Sequence, residues 1–459
     1  MNNPLDFTTK YCIIGAGSSG IAAAKNLKAL GISFDVIERE DDIGGNWYYG
    51  AAASRVYKST HMISSKPLTQ YTDYPMPKEY PDFPHHRLVL AYLRDYARHF
   101  DLYPHVEFNL GVEEITPLPL PPSPNTKGRG IEVHPSERSE WGRDLGWGVT
   151  LSNGETRLYK GVIIANGHNW DAKYPLYGGT FSGETIHSAQ YKTPDIFKDK
   201  RVLIIGAGNS GCDIAVEAAQ NATQTYHSLR RGYHYIPKWA FGKPVDQWGE
   251  ILLWLRLPIL LRRLAMWAVL LVINGGTLRK YGLRSPDHKL FQTHPIINTQ
   301  ILYYLGHGDI VPKVDVERFE GKKVWFKDGS CVEVDLIVYA TGYNLTFPFI
   351  DKKYLNWDVD HPNLYLNIFH PLYDNLFVIG LIQPASGQFG LVDYQALAVA
   401  KFIHAQAHAP AKADRLRQRK QQEKPNLSAG IRYLNSTRHL VEVEHFSYRN
   451  RLKRIIKQL

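Results

Sequence analysis

Twice along the chain a short apolar run leads into a turn with glycine at its first, third and sixth positions, and then into a helix-forming stretch. The first copy is Tyr11 to Ile14, GAGSSG and IAAAKNLKAL; the second is Arg201 to Ile205, GAGNSG and CDIAVEAAQ. Each reads as strand, tight turn and helix, and Phe34 to Glu38 adds the next strand after the first copy, completing a βαβ unit. The glycines have separate tasks. Gly15 and Gly206 make the turn, Gly17 and Gly208 let backbone approach a pyrophosphate, and Gly20 and Gly211 let the helix pack on the strand. A diphosphate then sits on the unpaired N–H groups of the helix N-terminus, beside Ser18 in one copy and Asn209 and Ser210 in the other. Two copies in this context predict an α/β chain with two nested Rossmann-like dinucleotide-binding domains.

The residues beyond each turn distinguish the two nucleotides. Glu38 ends the second strand near the roughly 20-residue offset at which an acid accepts hydrogen bonds from ribose hydroxyls, and an acid there disfavours a 2′-phosphate. FAD or NAD fits the first site. Just beyond, DIGGNW supplies Gly44 and Gly45, which let backbone pass close to a flat ring, and Trp47 as core residue or ring neighbour. After the second turn, TYHSLRRG presents Ser228, Arg230 and Arg231 where the first copy has its acid. Guanidinium groups and a hydroxyl suit a 2′-phosphate, so the second site is expected to take NADPH.

The run Val162 to Asn166 reads as the closing strand of the first fold, and Leu336 to Tyr343 as its counterpart after the second. That order nests the second fold inside the first. The expected boundaries are 1–169 for the first part of the FAD domain, 170–335 for the NADPH domain with a helical insertion at about 233–285, and 336–459 for the return to the FAD domain and a C-terminal segment. Thr116 to Gly130 is too rich in proline and glycine for a regular element and reads as an exposed loop between strands. Ala411 to Asn426 reads as a solvated helix face or loop.

With 459 residues, 44% hydrophobic and 21% charged, the chain can build two or three cores, so disorder is not expected. The formal charge of +10 suits cofactor phosphates or a membrane surface, and nucleic acid is set aside for want of a motif. Cys12, Cys212 and Cys331 do not form a disulfide framework, and with an N-terminus lacking signal-peptide features the expectation is a reducing, cytoplasmic setting. Ile251 to Ile273 is apolar but broken by Arg256, Pro258, Arg262 and Arg263. It is too short between interruptions to cross a bilayer. Two readings stay open: a buried helix pair or channel lid, and a peripheral membrane contact with arginines at headgroups and Trp254 and Trp267 at the interface.

Phe181 to Tyr191, FSGETIHSAQY, fits FxGxxxHxxxY and lies just ahead of the second glycine turn. In this the chain resembles the flavin-containing monooxygenases. DIGGNW, TDYPMPKEYPDF (Thr72 to Phe83), THPIIN (Thr293 to Asn298), YATGY (Tyr339 to Tyr343) and GLIQP (Gly380 to Pro384) extend the resemblance over roughly residues 8 to 405. The sister fingerprint of Baeyer–Villiger monooxygenases ends in tryptophan followed by proline or aspartate, whereas Tyr191 is followed by Lys192. The resemblance implies that Phe181, Gly183, His187 and Tyr191 organise the structure, that Gln383 lies with FAD, and that Thr341 and Gly342 lie with NADPH. It also implies an NADPH- and O2-dependent monooxygenase that forms a C4a-(hydro)peroxyflavin and oxygenates soft nitrogen or sulfur atoms of small molecules. Baeyer–Villiger oxygenation of ketones, or an uncoupled NADPH oxidase or flavin reductase, is the alternative.

One departure stands out. The family places an asparagine beside the flavin where this chain has Ile63, which has no hydrogen to donate. Either His61, Ser64 or Ser65 supplies polarity there, or bound NADP and backbone hold the oxygen. No metal site and no covalent nucleophile is expected. A disulfide reductase needs a close cysteine pair that is missing here. The ending RLKRIIKQL lacks the apolar tail of the long animal members, so a bacterial-type soluble form is expected. Partners are a small-molecule substrate and O2, with a homodimer left open.

Overall fold

The computed structural model describes residues 4–118, 145–254, 259–434, 436 and 439–459. Most of the loop expected at Thr116 to Gly130 lies outside these residues. Its first two members instead complete the strand Val112–Pro117.

The first sheet has seven strands. In spatial order these are Val106–Glu107, Phe34–Ile37, Leu5–Ile14, Thr156–Ile164, Trp147–Leu151 and Val112–Pro117, with Leu376–Val378 also paired to Thr156–Ile164. The pairs around Leu5–Ile14 are parallel, and the last two strands join antiparallel. Helix α1 (Ser18–Ala29) crosses from the first strand to the second. Its alanines Ala22, Ala23 and Ala24 are buried, which lets α8 (Phe389–His408) pack closely upon it. Lys25 of α1 is buried in that contact and donates to Asp393 at 2.9 Å and Asp73 at 2.7 Å. Two carboxylates so placed compensate a desolvated ammonium.

The second sheet is wholly parallel: Ile310–Lys313, Gln224–Ser228, Arg201–Ile205, Leu336–Tyr339 and Glu184–His187. The expected boundary at 335 therefore falls too early. Leu336–Tyr339 pairs with Arg201–Ile205 in the register Val202↔Leu336, so the closing strand belongs to the embedded domain. Asp171–Ala172 pairs antiparallel with Tyr343–Asn344. The chain thus leaves and re-enters the first domain along two adjacent segments.

The insertion holds α5 (Val245–Trp254) and α6 (Ile259–Ile273). A fully buried helix pair is not what forms. Leu260, Leu264, Trp267 and Val272 of α6 are 70%, 60%, 51% and 76% exposed, while Leu270 turns inward. Among the described residues no helix is long and apolar enough to cross a membrane. The basic segment after α8 forms α9 (Pro410–Gln422), solvated except where Ala413, Leu416 and Lys420 are buried. Lys420 donates to the carbonyls of His370 and Tyr373. None of the three cysteines is in a disulfide; Cys12 and Cys212 lie in the core and Cys331 at the surface.

Candidate active site

Backbone meets backbone at the first glycine turn. Gly15 has φ +97°, and a Cβ on Gly20 would lie 1.7 Å from the Gly15 carbonyl oxygen. A Cβ on Gly45 would lie 2.9 Å from Gly17 Cα, so the GGNW segment rests directly on the turn. Glu38 is buried there. Its Oε2 accepts from Ala16 N at 2.5 Å and its Oε1 from Glu40 N at 2.9 Å, while burial pushes the carboxyl above its ordinary range. Each oxygen keeps a lone pair for a ribose hydroxyl. Gly380, at φ +88°, closes the far side, since a Cβ there would meet Ser19 Oγ at 2.3 Å. Trp47 stands edge-on to Phe389, the first residue of α8, with ring centroids 6.4 Å apart. Gln383 lies just past Gly380 in a short parallel pair with Glu442.

The segment His61 to Ser65 joins the same core through Met62, which is buried in the cluster that contains Ala16 of the turn. Ile63 packs against the insertion core of Ile236, Val245, Leu270 and Ile297. His61 is exposed, with Nδ1 2.7 Å from Ser59 O. Ser64 Oγ is 2.8 Å from Thr69 Oγ1, and Thr69 donates its own proton to Ser65 O. Ser64 is therefore the donor of that pair and has no second proton to give. Sequence reasoning missed Asp246, in the first turn of α5. Its Oδ2 accepts from Ser65 N at 2.7 Å and Ser386 Oγ at 3.3 Å, and burial raises its carboxyl pKa.

At the second turn Gly206 has φ +120°, and Cβ atoms on Gly206 and Gly211 would overlap the carbonyls of Ala340 and Gly206 at 2.3 and 2.0 Å. Gly208 precedes α4 (Asn209–Asn221), with Ser210 in its first turn. The Asn209 side chain binds the THPIIN backbone, donating to Pro295 O at 3.2 Å and accepting from Ile297 N at 2.7 Å. Ser228 is buried and donates to Val314 O at 2.7 Å, so its proton is already committed. Arg230 is exposed at the strand end, and Arg231 pairs with Asp287 at 3.0 Å. Thr341 donates to Lys173 O, and Gly342 takes φ +84° at the domain crossing. Asp213, also missed, accepts from Tyr57 OH at 3.0 Å and Asn298 Nδ2 at 2.6 Å, and burial lifts its pKa to about 6.

Between the turns, the segment Phe181 to Tyr191 is built into the framework. Phe181 packs on Phe319, and a Cβ on Gly183 would strike the Phe181 ring at 2.6 Å. His187 is fully buried, with Nδ1 accepting from Ala189 N at 3.1 Å. Tyr191 is buried and donates to Glu217 of α4.

A family model described as flavin-binding monooxygenase-like matches residues 8–458. The chain belongs to that family. It is 31% identical over 418 residues to macaque (Macaca mulatta) dimethylaniline monooxygenase [N-oxide-forming] 2, covering 88% of this chain and 74% of the relative. Its fold is similar to that of cyclohexanone monooxygenase (TM-score 0.69, 18% identity, 98% of both chains). It is also similar to that of S-allyl-L-cysteine S-oxygenase from Allium sativum (TM-score 0.63, 20% identity, 98% of this chain and 89% of that one). The protein is thus a flavin monooxygenase, an oxidoreductase whose family works with FAD and NADPH. Both nucleotides fit this monooxygenase, because at each turn backbone lies so close to backbone that a Cβ on Gly20, Gly206 or Gly211 would overlap a carbonyl oxygen. Lys192, which separates the fingerprint from its sister form, donates to Ser54 O at 2.9 Å and Val56 O at 3.2 Å and so ties the end of the motif to the first domain.

Proposed function

We propose that this monooxygenase holds FAD on the first turn and NADPH on the second, and oxygenates soft nitrogen or sulfur atoms of small molecules. The observation that carries the reading is the contrast between the two strand ends, an acid at Glu38 and an arginine pair at Arg230 and Arg231. Backbone N–H groups at Gly17 to Ser18 and Gly208 to Ser210 receive the diphosphates, with Glu38 taking the ribose of FAD. Arg230 and Arg231 grip the 2′-phosphate. Trp47, Gln383 and the segment carrying Ile63 border the flavin ring. FAD, when bound, supplies the redox chemistry that passes electrons from the nicotinamide to O2. The protein's part is position and dryness, and Ile63 with Ile236, Val245 and Leu270 forms the apolar wall that keeps water out.

The name of the N-oxide-forming relative supports the nitrogen part of this reading. Purified protein loaded with FAD should consume NADPH and O2 in equal amounts and convert a tertiary amine or a thioether to its oxide. Ketone-to-ester conversion with neither oxide formed overturns the reading. Uncoupled oxidation of NADPH is the second reading, favoured by Ile63 and by the committed proton of Ser64, and peroxide as the sole product with every substrate tried would establish it. The exposed face of α6 further supports a peripheral membrane contact. Cosedimentation with anionic vesicles that Trp267→Ser abolishes would support it, and failure to sediment would discard it; a second copy of the chain is the other cover for that face.

A further inference from the structure

The insertion reaches the flavin side of the molecule through one half-buried carboxylate. Asp246 accepts from Ser65 N, two residues beyond Ile63, and from Ser386 Oγ, three residues beyond Gln383. Those two segments already interlock, since a Cβ on Gly387 would lie 2.2 Å from Leu68 O and one on Gly390 3.1 Å from Gln70 O. Asp246 makes no ion pair among the described residues, and its carboxyl is held by hydrogen bonds from Ser65 and Ser386. A carboxylate without a countercharge is costly to bury, and hydrophobic packing alone would be served better by an apolar residue. A carboxylate held in this way acts through what it binds.

We propose that Asp246 is a positioning residue for oxygen transfer: it locks the segment bearing Ile63 to the segment bearing Gln383, so that the insertion sets the shape of the flavin's apolar wall. The proposal rests on the reading of those two segments as the flavin's neighbours. It explains why α5 begins where it does, with Val245 packed toward Ile63 and Asp246 turned to the loops. Small motions of the insertion are thereby transmitted to the place where water must be kept out.

The test compares the parent with Asp246→Ala, Asp246→Asn and Ser386→Ala. Two quantities are read: peroxide release per NADPH oxidised without substrate, and amide exchange in 61–70 and 383–390, with and without FAD. Loss of one net hydrogen bond corresponds to about fivefold in an equilibrium. Asp246→Ala is expected to speed exchange in both segments and peroxide release by about that factor, with Leu5–Ile14 unaffected. Asp246→Asn, whose amide oxygen still accepts from Ser65 N, should recover most of the difference, and Ser386→Ala should show a smaller effect of the same sign. Equal behaviour of the Ala and Asn variants, or Ala values like the parent's, overturns the proposal. Should Asp246→Ala not fold, Ser386→Ala decides, and parental behaviour there overturns it. If FAD protects neither segment in the parent, the reading of the site fails and the proposal falls with it; if FAD protects both and the variants are silent, only Asp246's role is refuted.

Discussion

Replacing Arg230 by alanine should change which nicotinamide nucleotide the enzyme prefers while leaving its flavin untouched. Arg230 projects from the end of Gln224–Ser228 into solvent, whereas Arg231 is held by Asp287 at 3.0 Å. A hydrogen bond to a charged group contributes about 1.5–3 kcal/mol. Solvent screening at this open strand end leaves the lower part of that range, about tenfold in kcat/KM for NADPH. Arg231 must first give up its surface ion pair, which is worth about 0–1 kcal/mol, so Arg231→Ala should cost less than Arg230→Ala. Asp287→Ala should release Arg231 and raise kcat/KM for NADPH by up to about fivefold. Steady-state rates with NADPH and NADH, taken at low and high salt, decide the matter. NADH kinetics should not move in any of the three variants, and raising salt should weaken NADPH binding to the parent more than to Arg230→Ala. If the NADPH to NADH ratio is unchanged in both arginine variants, the 2′-phosphate is held elsewhere and the assignment of the second turn is wrong.

Three further outcomes are expected. Gly20→Ala places a Cβ 1.7 Å from the Gly15 carbonyl oxygen and must push α1 off its strand, so the purified variant should lose its flavin; a parental ratio of flavin to protein absorbance would contradict this. Tyr191→Phe leaves Glu217 without its phenol donor and should destabilise the fold by about 1–3 kcal/mol, lowering the thermal midpoint with flavin content unchanged; loss of NADPH binding alone, with no loss of stability, would assign the fingerprint tyrosine a different role. His227, His370 and His445 are held by burial at about 4, about 3 and about 4. The unfolded chain protonates these imidazoles below about 6.5 and the folded one does not, so stability is full above that pH and declines as pH falls toward 4, by up to about 1.4 kcal/mol per unit for each group. Thermal midpoints measured from pH 7.5 to 5 should fall steadily, and a flat profile would refute the assignment.

Local backbone demands were legible because they leave a chemical trace. The glycine turns, Glu38 and the two arginines announce themselves since only a narrow set of residue types meets the steric or charge requirement at those places. The fingerprint was legible as a pattern, yet its physical reasons appear only in three dimensions: Gly183 has no room for a Cβ against Phe181, and Tyr191 finds Glu217 on a helix that comes later in the chain. The boundary at 335 was set just ahead of the strand that closes the second fold. Leu336 to Tyr343 reads as that closing strand, and its register with Arg201–Ile205 moves the boundary past Tyr339.

Asp213 and Asp246 were invisible because a lone aspartate near a helix start reads as an ordinary helix-terminal acid. What distinguishes them is partners from distant segments, Tyr57 and Asn298 for one, Ser65 and Ser386 for the other. Each joins the embedded domain to the first. The residues that carry nucleotide chemistry are therefore local and readable, whereas those that couple the domains are defined by long-range contacts. Ile63 sits between these classes: its lack of a donor is plain from its identity alone, but its consequence depends on the apolar wall that the insertion builds around it. An asparagine restored at that position would enter a wall of aliphatic side chains with few partners for its amide. Ile63→Asn should thus lower thermal stability without improving coupling, unless the flavin itself accepts the new hydrogen bond. A fall in peroxide release in that variant would show that this wall tolerates the asparagine and that its absence here limits the enzyme.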